Sequence, residues 1–389
     1  MKKKYAFLFF FLILIKSLNS QVQLSDKSEI SIVTAGPGTE LYEAFGHSAI
    51  RIKDPVSKLD LIYNYGVFDF KQPNFYTNFA KGNMIYSLAR YDFKYFIASY
   101  KRDKRWLKQQ VLNLNQQEKQ SYFLFLENNA LPKNRNYNYD PYFDNCATIL
   151  RDISASILGD KITFNDEYAK TELTFRDLTN KEIHWNTWGS FGLNLIAGIP
   201  LDEKATSKEF LFLPDYVFNS FKNATISINN TSKKLIKRED LLLDFKEKEP
   251  QISTFNPVLI FSILCLIVLF ITYKNFKSNK RNKFLDFVIL FITGFIGALL
   301  LFLWFFSTHS TAPNNFNILW AFAPNLIIAF LMLKNEPKKG LKQYFKLLLF
   351  LIVCIPFLWV FHIQLFPTAI IPLLILFFVR YLFLSKTLK

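Results

Sequence analysis

The last third of the chain is dominated by five apolar stretches, residues 258–273, 284–306, 316–333, 344–361 and 365–384, joined by connectors whose charge alternates. A helix needs about 20 consecutive apolar residues to cross a bilayer core; the second stretch has that length and the others approach it. Residues 274–283 carry five Lys or Arg and residues 334–346 another five, whereas 307–315 and 362–364 carry none. Basic loops remain on the cytoplasmic side. The alternation therefore predicts five spans, with residues 21–256 and the loops around Thr308 and His362 outside and the C-terminus in the cytoplasm. A content of 51% hydrophobic residues, with 44 Phe among 389, fits this class better than a soluble one.

Residues 1–20 have Lys2, Lys3 and Lys4, an apolar run over 6–15 and a polar end, which is the layout of a secretory signal peptide cleaved near Ser20. Lys16 interrupts the run and no Ala marks the cleavage site, so a retained anchor is the alternative. The net charge of +16 is not a nucleic-acid signature. Residues 21–256 hold 30 basic and 29 acidic side chains, and the excess lies in the leader and the membrane flanks. The expected organisation is a signal peptide (1–20), an exported domain (21–232), a charged linker (233–256) and a membrane domain (257–389).

Within the exported part, residues 29–34, 48–53 and 59–65 read as short strands between Gly/Pro turn signals. Residues 74–129 read as more helical, including 100–110 and 116–127. Cys265 and Cys354 fall in apolar runs, so Cys146 has no partner and no disulfide is expected. Cys146 follows a Tyr/Asn/Pro-rich loop, 133–143, and opens the helix-like run ATILRDISASIL, with Asp144 or Asn145 placed to cap it. A helix N-terminus favours a thiolate. A lone cysteine is commonly only a small core hydrophobe, but an unpaired one in an exported domain is a liability unless it is buried or used.

A thiol nucleophile needs a base, and the exported part offers only His47 and His184. His47 follows Gly46 at the mouth of a strand. A histidine strand first and a cysteine helix second is the order of a circularly permuted papain-like arrangement, in which the imidazole takes the thiol proton and a third group orients the ring. Asn64 is the first choice for that group, with Tyr65 and Asp60 competing. Backbone N–H groups of Cys146 and Ala147 are candidates for an oxyanion hole. Arg105 and Arg151 are candidates to hold an anionic head group. His309, Asn314 and Asn317, beside Trp320 in an outer loop, are candidates to bind a head group or an amine at the interface. No His/Cys set has zinc-ligand spacing, and no cofactor is expected.

The stretches TAGPGTELYEAFGHSAIRI, IYNYGVFDFKQPNF, YNYDPYFDNCATILRD, WGSFGLNLIAGIPLDE and FLFLPDYVF resemble the periplasmic domain of the Lnb-like bacterial lipoprotein N-acyltransferases; GHSAIRI and DNCAT are the specific elements. The likeness continues into HSTAPNNFNILWAFAPN, between the second and third spans. It implies an α+β, permuted papain-like Cys/His domain on a helical membrane domain of five spans, in the bacterial inner membrane. It also implies a phospholipid as acyl donor, a diacylated lipoprotein as acceptor, and His47 and Cys146 at the catalytic positions. Acyl transfer through a thioester further requires an apolar, bilayer-facing wall that keeps water from the intermediate. Two other readings use the same residues differently: a periplasmic cysteine peptidase or amidase acting on cell-wall peptides, and a non-enzymatic factor in which Cys146 is core.

Overall fold

The computed structural model describes residues 22–247, 249, 252–334 and 340–388; the expected signal peptide lies outside them. Three strands form where apolar alternation places them: β1 (Glu29–Ala35), β2 (His47–Asp54) and β3 (Leu59–Val67). They are followed by α1 (Phe75–Lys81), β4 (Ile85–Asp92), α2 (Phe93–Arg102), β5 (Leu107–Leu112), α3 (Gln116–Asn129) and β6 (Asn136–Asn138). Next come α4 (Thr148–Leu158), β7 (Ile162–Thr163), α5 (Phe175–Glu182), α6 (Trp188–Ile196), α7 (Pro214–Asn223), β8 (Thr225–Ile228), β9 (Thr231–Lys234) and β10 (Ile236–Leu243).

One antiparallel sheet organises the domain, in the order β10-β5-β1-β2-β3-β4-β6; β7, β8 and β9 form a small second sheet. Because side chains alternate across a strand, the main sheet feeds two cores. Ile30, Ile32, Ile50, Ile52 and Tyr63 pack with α3, α4 and α7 on one face. Val33, Ala49 and Ile62 pack with Phe93 and Phe96 of α2 on the other. Sheet and helices are thus interleaved in an α+β domain, with α4 laid against the strands that carry His47 and Asn64.

Two expectations are corrected here. Residues 100–110 are not one helix: α2 stops at Arg102 and β5 begins at Leu107. Residues 233–256 are not simply a linker, since β10 is the edge strand of the main sheet, paired with β5. Both strands hide their period behind polar side chains that satisfy one another. Gln109 Nε2 donates to Asp240 Oδ2 at 2.7 Å, Gln110 Nε2 to Glu239 Oε1 at 3.2 Å, and Arg238 pairs with Glu29. Charged residues on an edge strand are the usual guard against stray pairing.

Beyond Asn256, which caps it, runs α8 (Pro257–Ser278), then α9 (Lys283–Phe306), α10 (Asn325–Met332), α11 (Leu341–Val360) and α12 (Ile371–Thr387). Among the described residues four helices are long and apolar enough to cross a membrane; α12, with the turn before it, counts over Thr368–Thr387. The third apolar stretch differs from a continuous span. It comprises a 3-10 turn at Phe316–Leu319, irregular backbone around Pro324, and the eight-residue α10. It nevertheless runs from one end of the bundle to the other. Asn315 Nδ2 donates to Leu195 O of the exported domain at 2.8 Å, while Met332 O accepts from Arg281 Nη1, at the opposite end of α9, at 2.8 Å.

Irregular backbone at membrane depth is tolerated only where protein covers it. Here Gly294 and Gly297 of α9 provide the cover. A Cβ at Gly294 would fall 2.1 Å from Leu326 N, and one at Gly297 1.9 Å from Ala321 O, so only glycine admits so close an approach. At the other end of the bundle, Arg380 Nε donates to Asp286 Oδ1 at 2.8 Å and Arg380 Nη1 to Thr272 Oγ1 at 3.1 Å, tying α12 to α9 and α8.

The exported domain is seated on the outer loops of the bundle. Thr308 N donates to Lys81 O, and Gly198 N to Thr311 O, each at 2.8 Å; Leu365 N donates to Asp202 Oδ2 at 3.3 Å. Asp202 is in turn held by the buried Arg176 at 2.7 Å. These contacts fix which side of the domain faces the helices.

Candidate active site

His47 opens β2, opposite Ala35 of β1, and Asn64 lies on the neighbouring strand β3. His47 Nε2 lies 2.6 Å from Asn64 Oδ1, and Asn64 Nδ2 donates to Tyr91 Oη at 3.1 Å. An amide oxygen only accepts, so Nε2 carries the ring proton toward Asn64. Nδ1 is the ring nitrogen not engaged by Asn64, and the Cys146 thiol lies near enough to the imidazole for the charge of each to act on the other.

Cys146 reaches that position from the other side of the sheet, on the turn that leads into α4. Asn145 builds the turn. Its Oδ1 accepts from Ala147 N at 2.8 Å and Thr148 N at 3.0 Å, while its Nδ2 donates to Pro141 O at 2.7 Å and Phe212 O at 2.8 Å. The expected oxyanion donor at Ala147 is thus already occupied. The backbone N–H groups that face the sulfur are those of Ser48 and of Cys146 itself. Gly66, at φ +85°, closes the site from β3; a Cβ there would stand 3.3 Å from Cys146 Cβ and 3.6 Å from Tyr139.

Burial alone would push the Cys146 thiol up, but the charge and hydrogen bond of His47, with the two backbone N–H groups, bring it below the ordinary thiol value. His47 is the mirror image. Burial pushes the imidazole down, the charge of Cys146 and hydrogen bonds to Cys146 and Asn64 more than offset this, and the group sits above its ordinary value. Opposite shifts favour a thiolate beside an imidazolium, the reactive form of such a pair.

The remaining candidates lie elsewhere. Arg105 is buried behind the site, where its Nε donates to Gly36 O at 2.8 Å and its Nη1 pairs with Glu43 at 3.3 Å; its charge opposes protonation of His47. Arg151 faces away along α4, with its guanidinium over the Phe164 ring at 4.8 Å. His309 Nε2 donates to Phe79 O at 2.8 Å, clamping the outer loop to α1. Asn314 O accepts from Ile199 N at 3.4 Å. Asn317 is fully buried, its Nδ2 donating to Leu195 O at 3.2 Å and its Oδ1 accepting from Trp320 Nε1 at 2.9 Å. These outer-loop residues thus make their bonds where the exported domain meets the bundle. His184 receives the N–H of Asn186 and takes no part in the pair.

The pattern of the Lnb N-terminal periplasmic domain matches residues 17–181, and that of the Lnb transmembrane domain matches residues 248–389. The chain belongs to the Lnb family. It is accordingly a multi-pass membrane protein with a periplasmic N-terminal domain, in a family of lipoprotein N-acyltransferases. The family's transmembrane pattern is one of five helices, and the broken third crossing accounts for a bundle with four long ones. His47, Asn64 and Cys146 all fall within the Lnb periplasmic match. Residues 182–247, including β10 and Asp202, lie between the two matches. No curated protein and no solved structure matches the chain.

Sequence reasoning did not find Tyr91, Gly66 or the Ser48 N–H. Tyr91 reaches Asn64 diagonally across the β3–β4 pair, where its direct partner is Ile62, and no local spacing reveals that contact. Gly66 did carry a signal, as a glycine directly after the Tyr63-Asn64-Tyr65 strand.

Proposed function

We propose that the chain is a membrane-bound lipoprotein N-acyltransferase that moves an acyl chain from a phospholipid to the N-terminal amine of a diacylglyceryl-cysteine lipoprotein, through a thioester on Cys146. The reading is supported by one arrangement: Cys146 and His47 lie close enough to shift each other's pKa in opposite directions, the imidazole is held by Asn64, and the domain is docked directly on membrane helices. The cysteine helix set against a histidine strand also supports the permuted papain-like description.

In the first half-reaction the Cys146 thiolate attacks an ester carbonyl of the phospholipid. The carbon–oxygen bond breaks, His47 gives its proton to the departing lysophospholipid oxygen, and the acyl group remains on sulfur. In the second, the lipoprotein amine attacks the thioester carbonyl, His47 Nδ1 takes the amine proton, the carbon–sulfur bond breaks and the thiolate is restored. The Ser48 and Cys146 N–H groups support the negative charge on sulfur at both ends of the cycle. Asn64 keeps Nε2 protonated so that Nδ1 is the nitrogen that exchanges the proton. Both substrates reside in the bilayer, and seating the domain on the bundle confines the encounter to two dimensions.

The test is to supply purified protein with phospholipid micelles and a diacylated lipopeptide and to weigh the product by mass spectrometry. A triacylated lipopeptide, absent with Cys146→Ala, supports the reading. Release of free fatty acid alone, or cleavage of a cell-wall peptide, replaces it with hydrolysis.

A further inference from the structure

The exported domain meets the bundle at two places where a lipid could approach. One is a cavity of about 190 Å³ lined by residues including Arg176, Trp185, Asn194 and Trp359. Its one cation, Arg176, is already committed to Asp202, leaving no free charge for a phosphate. The other is the segment between β3 and β4, which is aromatic and largely uncovered. Phe70 is 55% exposed, Tyr76 75% and Phe79 48%. Solvent exposure of so many rings together marks an interaction face.

This face is continuous with the thiol at one end and the membrane helices at the other. The Gly66 hollow brings Tyr139 alongside Cys146. Tyr139 stacks on Tyr86 at 4.2 Å between ring centroids, Tyr86 meets Phe68 at 5.0 Å, and Phe68 meets Phe75 at 6.3 Å. Phe75 stacks on Phe79 at 6.1 Å, and Phe79 meets the His309 ring at 6.0 Å. His309 lies three residues beyond the end of α9, where Phe305 and Phe306 are also exposed. A chain of ring contacts, passing through the buried Phe75, therefore leads from the outer end of a membrane helix to the residues beside the sulfur. Aromatic side chains prefer the boundary between head groups and chains.

We propose that the face formed by Phe68, Phe70, Tyr76, Phe79 and Tyr86, backed by the buried Phe75, rests in the outer leaflet and conducts one acyl chain of a bilayer phospholipid to Cys146. The proposal rests on the acyl-transfer reading above and names the route its donor takes. Rings along the route hold an apolar chain and leave water few partners, which protects a thioester until an amine arrives. A lipid surface, rather than a protein, is the occupant because the face is continuous with the lipid-exposed end of α9.

The full-length protein in phosphatidylethanolamine vesicles, doped with a phosphatidylcholine whose acyl chain ends in a diazirine, tests this. After irradiation and digestion, the expected result is label on residues 68–86 together with an acyl group on Cys146. Tyr76→Ser combined with Phe79→Ser, both on exposed rings, should slow acylation of Cys146 from vesicles at least about tenfold, as loss of about 1.4 kcal/mol of apolar contact would. Label confined to α8–α12, or found around Trp185 and Trp359, with Cys146 still acylated, overturns the route and leaves acyl transfer standing. Absence of acyl groups on Cys146 from any phospholipid overturns the reading beneath it.

Discussion

His47 Nε2 donates to Asn64 Oδ1 over 2.6 Å, and that single bond decides which ring nitrogen meets the thiol. A hydrogen bond to a charged group contributes about 1.5–3 kcal/mol. Asn64→Ala is therefore expected to lower the acylation rate of Cys146 about 10- to 100-fold, measured by single-turnover mass spectrometry. Tyr91→Phe, which frees the Asn64 amide nitrogen, should cause a smaller fall of the same kind. An unchanged rate in Asn64→Ala would remove Asn64 from the positioning role.

The opposite pKa shifts set a pH window. Cys146 is lowered, so its thiolate appears on raising the pH through a value below that of an ordinary thiol. His47 is raised, so the imidazolium persists above its usual value of about 6.5 before being lost. Alkylation of Cys146 by iodoacetamide should thus reach half its maximum at a lower pH than alkylation of a free cysteine peptide, and His47→Gln should move that midpoint upward. A wild-type midpoint at or above an ordinary thiol's would exclude the ion pair.

Gly66→Ala tests the hollow beside the sulfur. Its φ of +85° costs an alanine about 1–3 kcal/mol, and the new methyl would press on Cys146 at 3.3 Å. The variant should show a lower thermal midpoint and slower Cys146 alkylation. Normal alkylation at a lowered midpoint would confine Gly66 to a structural role.

In the bundle, the Arg380–Asp286 pair is fully buried at 2.6 Å. Removing Arg380 leaves the buried Asp286 carboxylate only the more distant Arg281, at 3.3 Å, so Arg380→Ala should cost up to about 3–5 kcal/mol, whereas replacing both partners by Leu should cost less. Unfolding midpoints in detergent compare the two directly. Equal losses would mean that the pair acts through packing rather than charge.

What could be read from the residues followed local pattern. Strands β1 to β3 alternate cleanly, and a chain with so few His and Cys outside its membrane part leaves few ways to build a Cys/His pair. The edge strand β10 was hidden because Glu239 and Asp240 bond across to Gln110 and Gln109, so polarity there means pairing rather than a solvated linker. The third crossing reads as a plain apolar run, yet Pro324 and the close approach of Gly294 and Gly297 hold it open as a broken segment. The bond of His309 to Phe79 O depends on how two distant segments dock, which no local spacing encodes.

Strand β10 bears on how the molecule is made. It pairs Ile236 with Leu112 across more than a hundred residues of chain, and α8 begins at Pro257, shortly after the strand ends at Leu243. During synthesis, β5 emerges with an open edge and waits until nearly the whole domain has been exported. Pairing so distant in sequence is slow to form. The sheet can therefore close only once the chain has been made almost to its first membrane helix, so completion of the domain cannot long precede its anchoring in the bilayer. A chain interrupted before residue 236 would be released with an unsatisfied strand, marked for quality control by its own geometry.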